Sequence, residues 1–316
     1  MENKQYRIIF FGTPEFSAII LNKLINSLFR PIAIVTAPDK LKGRKQILTP
    51  SCAKELSIKK NISVFQPTSL RNNPQIVKEL TNLKPDLFIV AAYGLILPTE
   101  VLNIPKKGCI NIHPSLLPKY RGASPIQETI LNGDQETGTT LILMDEKMDH
   151  GPIVSDLRFK IVDLRITYPI LSDKLAKLSG QLLIDVLPKF LAKKIKPIKQ
   201  NHKQATFVKR INKEDGKINW TKPATEIERM TRAYRPWPGT YTTFMTKKLK
   251  IIQVEILEIN HKKQHGTIFS TESKIPAVAC GKNALILKEI QLAGKNIITG
   301  KEFANGYPQL FDVVMK

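Results

Sequence analysis

Two short segments in the middle of the chain carry polar side chains of complementary chemistry. Asn111 and His113 lie two residues apart in GCINIHPSLLP (108–118), and Asp149 lies in MDEKMDHGPI (144–153). Because side chains alternate along a strand, an Asn-x-His pair at a strand end points both groups to one side. An amide and an imidazole side by side can stabilise a developing oxyanion and move a proton. A carboxylate from a later loop can fix the imidazole tautomer and favour its charged form. This set suits metal-free transfer of an acyl-type carbon to an amine.

The first two thirds of the chain alternate between strand-like and helix-like patterns. This alternation predicts an α/β fold with an open, Rossmann-like, mostly parallel sheet and helices on both faces. Apolar runs at 7–11 and 86–92 are typical of strands buried in a parallel sheet. In this arrangement His113 closes one strand and Tyr93 follows another. Ligands on such sheets bind beyond the carboxyl ends of the strands, so both residues are predicted at the binding edge.

The remaining elements are predicted from apolar spacing and from Gly, Pro and Ser signals. Further strands are predicted at 32–36, 62–65, 108–113, 139–143 and 153–161, the last two paired. Helices are predicted at 15–28, 51–60, 74–83, 124–131 and 167–190.

Composition changes near Leu191, where a polar, basic stretch lacks apolar periodicity. We therefore predict a catalytic domain at 1–190, a linker at 191–207 and a second domain at 208–316. Beyond a helix at 224–233, short strand-like runs separated by turn residues predict a small barrel or sandwich.

Composition restricts the class of protein. The chain has 316 residues, and Cys52, Cys109 and Cys280 are widely spaced and odd in number. They fit a reducing cytoplasm better than a disulfide framework or a zinc site. We find no apolar run long enough for a membrane span and no signal-peptide pattern, so we expect a soluble cytoplasmic protein. The motifs G-x-G-x-x-G and the P-loop are absent, which argues against NAD and ATP.

The chain resembles the methionyl-tRNA formyltransferases nearly end to end. The resemblance is carried by IIFFGTPEF (8–16), AAYGLILP (91–98), SLLPKYRGASPIQ (115–127) and RAYRPWPG (232–239). It implies an OB-like β-barrel for the second domain and formyl transfer from 10-formyltetrahydrofolate to the amino group of methionyl initiator tRNA. No metal is expected, and nothing in the sequence demands more than a monomer.

The resemblance also implies roles for individual residues. Asn111, His113 and Asp149 match the catalytic triad, and Asp149 is therefore preferred over the neighbouring Asp145. The folate-contacting segment falls on Ser115, Leu116, Leu117 and Pro118. Tyr93, Gly94 and Leu95 are predicted to wall an apolar site for the pterin ring, although core packing is the alternative interpretation.

Basic residues predict the RNA contacts. The formal net charge of +22 favours a polyanionic partner, although scattered lysines can also be a solvated surface. The family places its tRNA-reading insertion at APDKLKGRKQ (37–46), which here carries Lys40, Lys42, Arg44 and Lys45. In the second domain Lys209 and Arg210 are further predicted contacts.

Two other functions remain open from the sequence. Pro114 departs from the family pattern, and related folate-dependent formyltransferases carry His-Pro-Ser there, so an amino-sugar nucleotide is an alternative acceptor. An RNA-binding protein without catalysis is the alternative from another class. Glycinamide ribonucleotide is a less favoured acceptor, because the enzyme that formylates it resembles the first domain alone. Neither of these two acceptors requires a large basic surface on the enzyme.

Overall fold

The computed structural model describes residues 6–43 and 46–316, and the contacts divide the chain into two units. Unit 1 comprises Met1–Pro125, Glu136–Lys160 and Ser172–Val208, and unit 2 comprises Ile126–Gln135, Ile161–Leu171 and Lys209–Lys316. Two segments of the predicted catalytic domain, 126–135 and 161–171, thus group with C-terminal residues. The predicted linker, 191–207, groups with unit 1.

Strands and helices alternate through the first two thirds of the chain, and strands predominate after that. The strands are β1 (Ile8–Gly12), β2 (Ala33–Val35), β3 (Lys40–Lys42), β4 (Ile47–Thr49), β5 (Ser63–Phe65), β6 (Leu87–Ala91), β7 (Cys109–His113), β8 (Arg121–Gly122), β9 (Glu136–Leu143), β10 (Ile153–Lys160), β11 (Phe207–Val208), β12 (Thr240–Phe244), β13 (Lys247–Leu257), β14 (Ile268–Ser270), β15 (Pro276–Ala279), β16 (Ala284–Leu292) and β17 (Ile297–Thr299). The helices are α1 (Glu15–Ile25), α2 (Cys52–Lys59), α3 (Pro74–Asn82), α4 (Thr99–Leu102), α5 (Pro125–Asn132), α6 (Tyr168–Leu191), α7 (Ala224–Ala233) and α8 (Gly300–Gly306).

Unit 1 contains the predicted mostly parallel sheet. Its seven strands follow the order β10-β9-β7-β6-β1-β2-β5, and the five strands from β7 to β5 in that order pair in parallel. β9 and β10 add an antiparallel edge. Every residue of β1 and β6 is buried, as expected for continuous apolar strands in the middle of such a sheet. The carboxyl ends of β1, β6 and β7 therefore lie side by side.

Helix starts in unit 1 follow the local capping chemistry. The Ser51 side chain accepts a hydrogen bond from the backbone of Lys54 at the start of α2, and Asn73 caps α3 by accepting from Ile76. These side chains satisfy backbone N–H groups that a helix start otherwise leaves unpaired.

The basic segment 37–46 carries structure that its polar composition did not predict. β3 and β4 pair as an antiparallel hairpin, with Lys40 opposite Thr49 and Leu41 opposite Leu48. Leu41, Ile47 and Leu48 are each more than half exposed. The hairpin thus presents apolar side chains to solvent in addition to its positive charge.

Unit 2 contains a curled antiparallel sheet. Its strands follow the order β12-β13-β16-β15-β14, with β17 beside β16. The C-terminal residues bridge the two ends of this order: Met315 N–H donates to Gly266 O at 2.9 Å, and Thr243 N–H donates to Lys316 O at 2.7 Å. The interior includes Phe244 and Phe303, whose rings pack edge to face. This bridging gives the OB-like barrel that the resemblance implied.

Over the described ranges, 6–43 and 46–316, no helix has the length and apolar character needed to cross a membrane.

The three cysteines are free thiols, and burial raises the pKa values of Cys109 and Cys280 to about 12.

Candidate active site

Asn111, His113 and Asp149 converge at the end of β7. Asn111 Nδ2 donates to Asp149 Oδ1 at 3.1 Å, and the same oxygen lies 3.5 Å from His113 Nδ1. The side chains of His113 and Asp149 are only 5% and 11% exposed. An amide, an imidazole and a carboxylate therefore share one weakly solvated site.

β7 holds the first two residues on one side of the sheet. It pairs with β6 on one edge and with β9 on the other, so that Asn111 lies between Val90 and Ile142. Strand alternation then directs Asn111 and His113 to the same face. A strand paired on both edges provides a rigid support for the two side chains.

The His113 ring is oriented by two acceptors. Its Nε2 lies 2.9 Å from the carbonyl oxygen of Tyr120. A carbonyl can only accept, so Nε2 carries a hydrogen and Nδ1 is the atom that faces Asp149. A second proton taken up by the ring would therefore lie between Nδ1 and the Asp149 carboxylate.

The loop that carries Asp149 has an unusual backbone. Asp149 adopts φ +50°, a left-handed conformation that costs a non-glycine residue about 1 kcal/mol, although Asp tolerates it better than most. Its second carboxylate oxygen, Oδ2, accepts from the Gly122 backbone N–H at 2.8 Å. The carboxylate is thus fixed from two directions, by a side-chain amide and by a backbone amide.

Gly151 allows this loop to pass close to β9. A Cβ atom at this position would overlap with the Leu143 carbonyl oxygen. We expect Gly151→Ala to lower the free energy of unfolding by about 2 kcal/mol, because the backbone must shift to relieve the overlap. Chemical denaturation measures this change. Gly306→Ala is the matched control, since a Cβ there meets nothing within 4 Å; equal stability of the two variants would contradict the prediction.

Arg121 and Gln200 form a buried network behind Asp149. Both are nearly fully buried, at 3% and 5% exposure. Arg121 Nε and Nη2 donate to Gln200 Oε1 at 3.2 and 2.7 Å, and Gln200 Nε2 donates to the carbonyl oxygens of Asp149 and Gly151 at 2.9 and 2.7 Å. Burial lowers the pKa of Arg121, while Asp149 and Asp145 act in the opposite direction. Gln200 lies in the predicted linker, and no local pattern in the sequence marks it.

Asp145, the competing carboxylate, has a different partner. Its Oδ2 lies 2.6 Å from His150 Nδ1. The His150 ring stacks on His202 with centroids 4.0 Å apart, and His202 Nδ1 lies 2.8 Å from Arg121 Nη2. Asp149, rather than Asp145, is the carboxylate beside His113.

The His202 environment makes stability depend on pH. Partial loss of hydration around its ring, together with the nearby His150 and Arg121 charges and in opposition to Asp145, lowers the pKa of His202 below its ordinary 6.5. The unfolded chain therefore takes up this proton first as the pH falls, so the contribution of His202 to stability is present above 6.5 and lost below it. We expect the free energy of unfolding to fall between pH 7.5 and 5 less steeply in His202→Asn than in the wild type. Parallel denaturation curves at each pH would contradict this.

The predicted folate segment is firmly held. Ser115 is 1% and Leu117 8% exposed. Ser115 Oγ donates to Lys119 O, and Leu117 N–H donates to Thr140 Oγ1 at 3.1 Å. Leu116 and Pro118 are half-buried. The side chains of this segment that remain accessible are thus those of Leu116 and Pro118.

Tyr93 and its neighbours differ from one another in exposure. Tyr93 is 3% exposed and packs edge to face on Phe11 in the core of unit 1, and burial raises the pKa of its hydroxyl. Gly94 and Leu95 are exposed, and Ile96 is 69% exposed. The exposed apolar surface after β6 is therefore that of Leu95 and Ile96, whereas Tyr93 belongs to the core.

Three of the predicted RNA contacts are exposed, namely Lys40, Lys209 and Arg210. Lys40 and Lys42 are in β3, and Lys40 is exposed. Arg44 and Lys45 lie outside the described residues. Lys209 and Arg210 are exposed, and Lys209 Nζ forms an ion pair with Asp215 at 2.7 Å.

In the described part of the chain, no three His, Cys, Asp or Glu side chains form a group that could hold a metal ion.

Two family models match this chain, one in its N-terminal region and one in its C-terminal region. The family model described as formyl transferase matches residues 6–187, and that of the formyl transferase C-terminal domain matches 210–308. A protein of Caldanaerobacter subterraneus subsp. tengcongensis, named methionyl-tRNA formyltransferase, is 41% identical over 95% of this chain and 97% of its own length. A protein of the same name from Clostridium novyi is 39% identical over 98% of this chain and its full length.

Solved structures share the fold at lower identity. The N-formyltransferase from Helicobacter canadensis, in complex with folinic acid and dTDP-3-aminofucose, has a TM-score of 0.65 and 21% identity over 89% of this chain and 99% of its own. Because the two family models together span most of the sequence and the identity to the relatives is near 40% along nearly its whole length, this chain belongs to the formyl transferase family.

Proposed function

We propose that this protein is a methionyl-tRNA formyltransferase that moves the formyl group of 10-formyltetrahydrofolate to the amino group of methionine on initiator tRNA. It acts in translation initiation, in the cytoplasm and as a monomer. The observation that carries this proposal is the convergence of Asn111, His113 and Asp149 in one buried site. The substrate is taken from the name of the relatives that match nearly the whole chain.

In the proposed reaction a bond forms between the methionine nitrogen and the formyl carbon, and the bond from that carbon to the folate nitrogen breaks. The attacking amine loses one proton, and the departing folate nitrogen gains one, so no external reductant or oxidant is required. The formyl oxygen carries negative charge between the two steps, which is the charge that a preorganised donor can stabilise.

Asn111 supplies that donor. Its amide is held by Asp149 at 3.1 Å on a strand paired on both edges, so little reorganisation is needed when the charge develops. One Nδ2 hydrogen points to Asp149, and the other remains for the formyl oxygen. The amide therefore positions and stabilises the reacting group.

His113 and Asp149 accept and hold the proton that the attacking amine loses. His113 Nδ1 faces Asp149 Oδ1 at 3.5 Å, so a proton lost by the amine can be held between ring and carboxylate, directly or through one water. The protonated ring adds positive charge beside the developing oxyanion. Gly122 N–H keeps the carboxylate in place during this exchange.

The chain also offers a surface that suits a folate. Leu95 and Ile96 are exposed apolar side chains just after β6, whose carboxyl end adjoins that of β7. Aliphatic side chains at the end of a parallel strand suit a flat heterocycle. We propose that Gly94, Leu95, Leu116 and Pro118 contact the folate, with Ser115, Leu117 and Tyr93 shaping the site from behind.

We propose that residues 1–190 perform the chemistry and 208–316 bind tRNA, with 191–207 joining them. Lys40, Lys42, Arg44 and Lys45 in the basic segment, and Lys209 and Arg210 in the second domain, contact RNA phosphates. The formal charge of +22 supports a polyanionic substrate.

Arg44→Ala is expected to weaken tRNA binding without affecting the folate site. Loss of one phosphate contact should reduce the slope of log Kd against log salt by about 1. Filter binding across a salt series measures this slope. Arg71→Ala is the control, because Arg71 is an exposed arginine outside the basic segment. Identical slopes for the two variants would count against an RNA contact at Arg44.

A direct assay tests the proposed function. Purified protein is mixed with 10-formyltetrahydrofolate and either methionyl initiator tRNA or an amino-sugar nucleotide, and each amine is analysed by mass spectrometry. We expect formylmethionyl-tRNA and no formylated sugar. Formylation of the sugar nucleotide without formylation of the tRNA would overturn the choice of substrate.

A further inference from the structure

The segment 198–206, which precedes β11, is hydrogen-bonded to other segments of unit 1. Ile198 exchanges two backbone hydrogen bonds with Ile153 at 2.7 and 2.8 Å. Thr206 Oγ1 accepts from Tyr120 N–H at 2.8 Å, and Thr206 O accepts from Arg121 N–H at 2.8 Å. Gln200 lies between these anchor points, so its side chain starts from an immobilised backbone.

The Gln200 amide uses all of its hydrogen-bonding capacity. Both Nε2 hydrogens go to backbone carbonyls of the loop that carries the proposed catalytic carboxylate, at Asp149 and Gly151. Its Oε1 accepts twice from Arg121. Because Gln200 is 5% exposed, water cannot readily replace these partners.

The hydrogen bonds of Gln200 link two peptide segments that together set the position of the Asp149 carboxylate. One segment contains Asp149 itself in a left-handed conformation, and the other contains Arg121 and the adjacent Gly122, whose N–H binds the carboxylate. A strained backbone conformation persists only where the surroundings determine it. Gln200 forms part of those surroundings, since it donates to the carbonyl of Asp149 and to that of Gly151 two residues later.

We infer that Gln200 is a positioning residue for formyl transfer: it holds the Asp149 loop so that the carboxylate stays between Asn111 and Gly122 and opposite His113. This inference rests on the proposed role of Asp149. Gln200 touches neither of the reacting atoms in this scheme, so its effect is exerted through the geometry of Asp149.

Two variants separate positioning from general stability. Gln200→Met keeps the length of the side chain and removes every hydrogen bond, whereas Gln200→Glu keeps the acceptor for Arg121 and removes the two donors. Gln204→Met is the matched control, because Gln204 is exposed in the same segment. We expect kcat to fall about 10- to 100-fold in both Gln200 variants, as for other residues that orient a functional group.

The division between kcat and KM is the decisive kinetic result. KM for formyl folate and for tRNA should stay near the wild-type values, and kcat per folded molecule should fall. Loss of activity only in proportion to loss of folded protein, or a raised KM with unchanged kcat, would overturn the inference.

A crystal structure of the Gln200→Met variant provides a readout that does not depend on the substrate. We expect the Asp149 carboxylate to move by about 1 Å or more, enough to lower the rate substantially, and to lose its contact with Gly122 N–H. An unmoved carboxylate would overturn the positioning role even if the protein formylates tRNA. A moved carboxylate in the variant, together with a wild-type protein that formylates no tRNA, would instead overturn the proposed function.

Discussion

Asp149→Asn is expected to lower kcat/KM for formylation on the order of 1000-fold, within the range typical of groups that act in proton transfer. The substitution keeps the size of the side chain, and Asn tolerates the left-handed backbone at this position. It removes the negative charge opposite His113. It also replaces one of the two oxygens that accept from Asn111 and Gly122 by an amide nitrogen. Steady-state kinetics with methionyl-tRNA measures the loss.

Asp145→Asn is the control for this prediction. Asp145 belongs to the same loop and is paired with His150 rather than His113. The pair is partly solvated, with side chains 30% and 38% exposed, and such pairs contribute little, so we expect kcat/KM to stay within about threefold of the wild type. If Asp145→Asn were the more damaging variant, the roles of the two carboxylates would have to be exchanged.

His113→Ala is expected to lower kcat on the order of 100- to 1000-fold, the usual consequence of removing one group that stabilises an oxyanion. The side chain is 5% exposed and bridges the Tyr120 carbonyl and the Asp149 carboxylate. Without the ring, the site has no positive charge beside the oxyanion and no imidazole to take up the proton that the amine loses. Single-turnover measurements at saturating formyl folate isolate this chemical step.

His113→Gln tests whether packing alone explains that loss. Gln retains a side-chain donor for the Tyr120 carbonyl, but it cannot become a cation at neutral pH. We expect it to unfold at nearly the wild-type temperature and to remain almost as slow as His113→Ala. Recovery of most of the wild-type rate by Gln would show that the charge of the ring is not needed.

The elements that place Asn111 and His113 were predictable because their signals are local. β1 and β6 are continuous apolar runs, and both are buried at every residue. The Asn-x-His spacing at the end of β7 dictated a common direction for the two side chains, since strand alternation has a period of two. A single short segment therefore carries two of the three residues of the candidate site.

The contacts that complete the site were not predictable, because they join distant segments through backbone atoms. The Tyr120 carbonyl and the Gly122 N–H bind His113 and Asp149 through main-chain atoms, and the residue types at positions 120 and 122 do not indicate these partners. Gln200 reaches Asp149 across about fifty positions of sequence, from a stretch whose polar composition predicted a linker.

Two further features of the fold were not predicted. β3 and β4 form a local antiparallel hairpin, with Lys40 opposite Thr49, where no strand was predicted from the sequence. The bridging of the barrel depends on Met315 and Lys316, which follow no recognisable strand pattern and pair with two segments at once. For these C-terminal residues, tertiary hydrogen bonding rather than local propensity determines the structure.

The central claim is that Asn111 and Asp149 act as one unit in formyl transfer, and a double-mutant cycle tests it most directly. The single-turnover rate of methionyl-tRNA formylation is measured for the wild type, Asn111→Ala, Asp149→Asn and the double variant. Groups that act together are strongly non-additive, so the double variant should be little slower than the slower single variant. A double variant whose rate loss equals the product of the two single losses would show that the two residues act independently, and would contradict the claim.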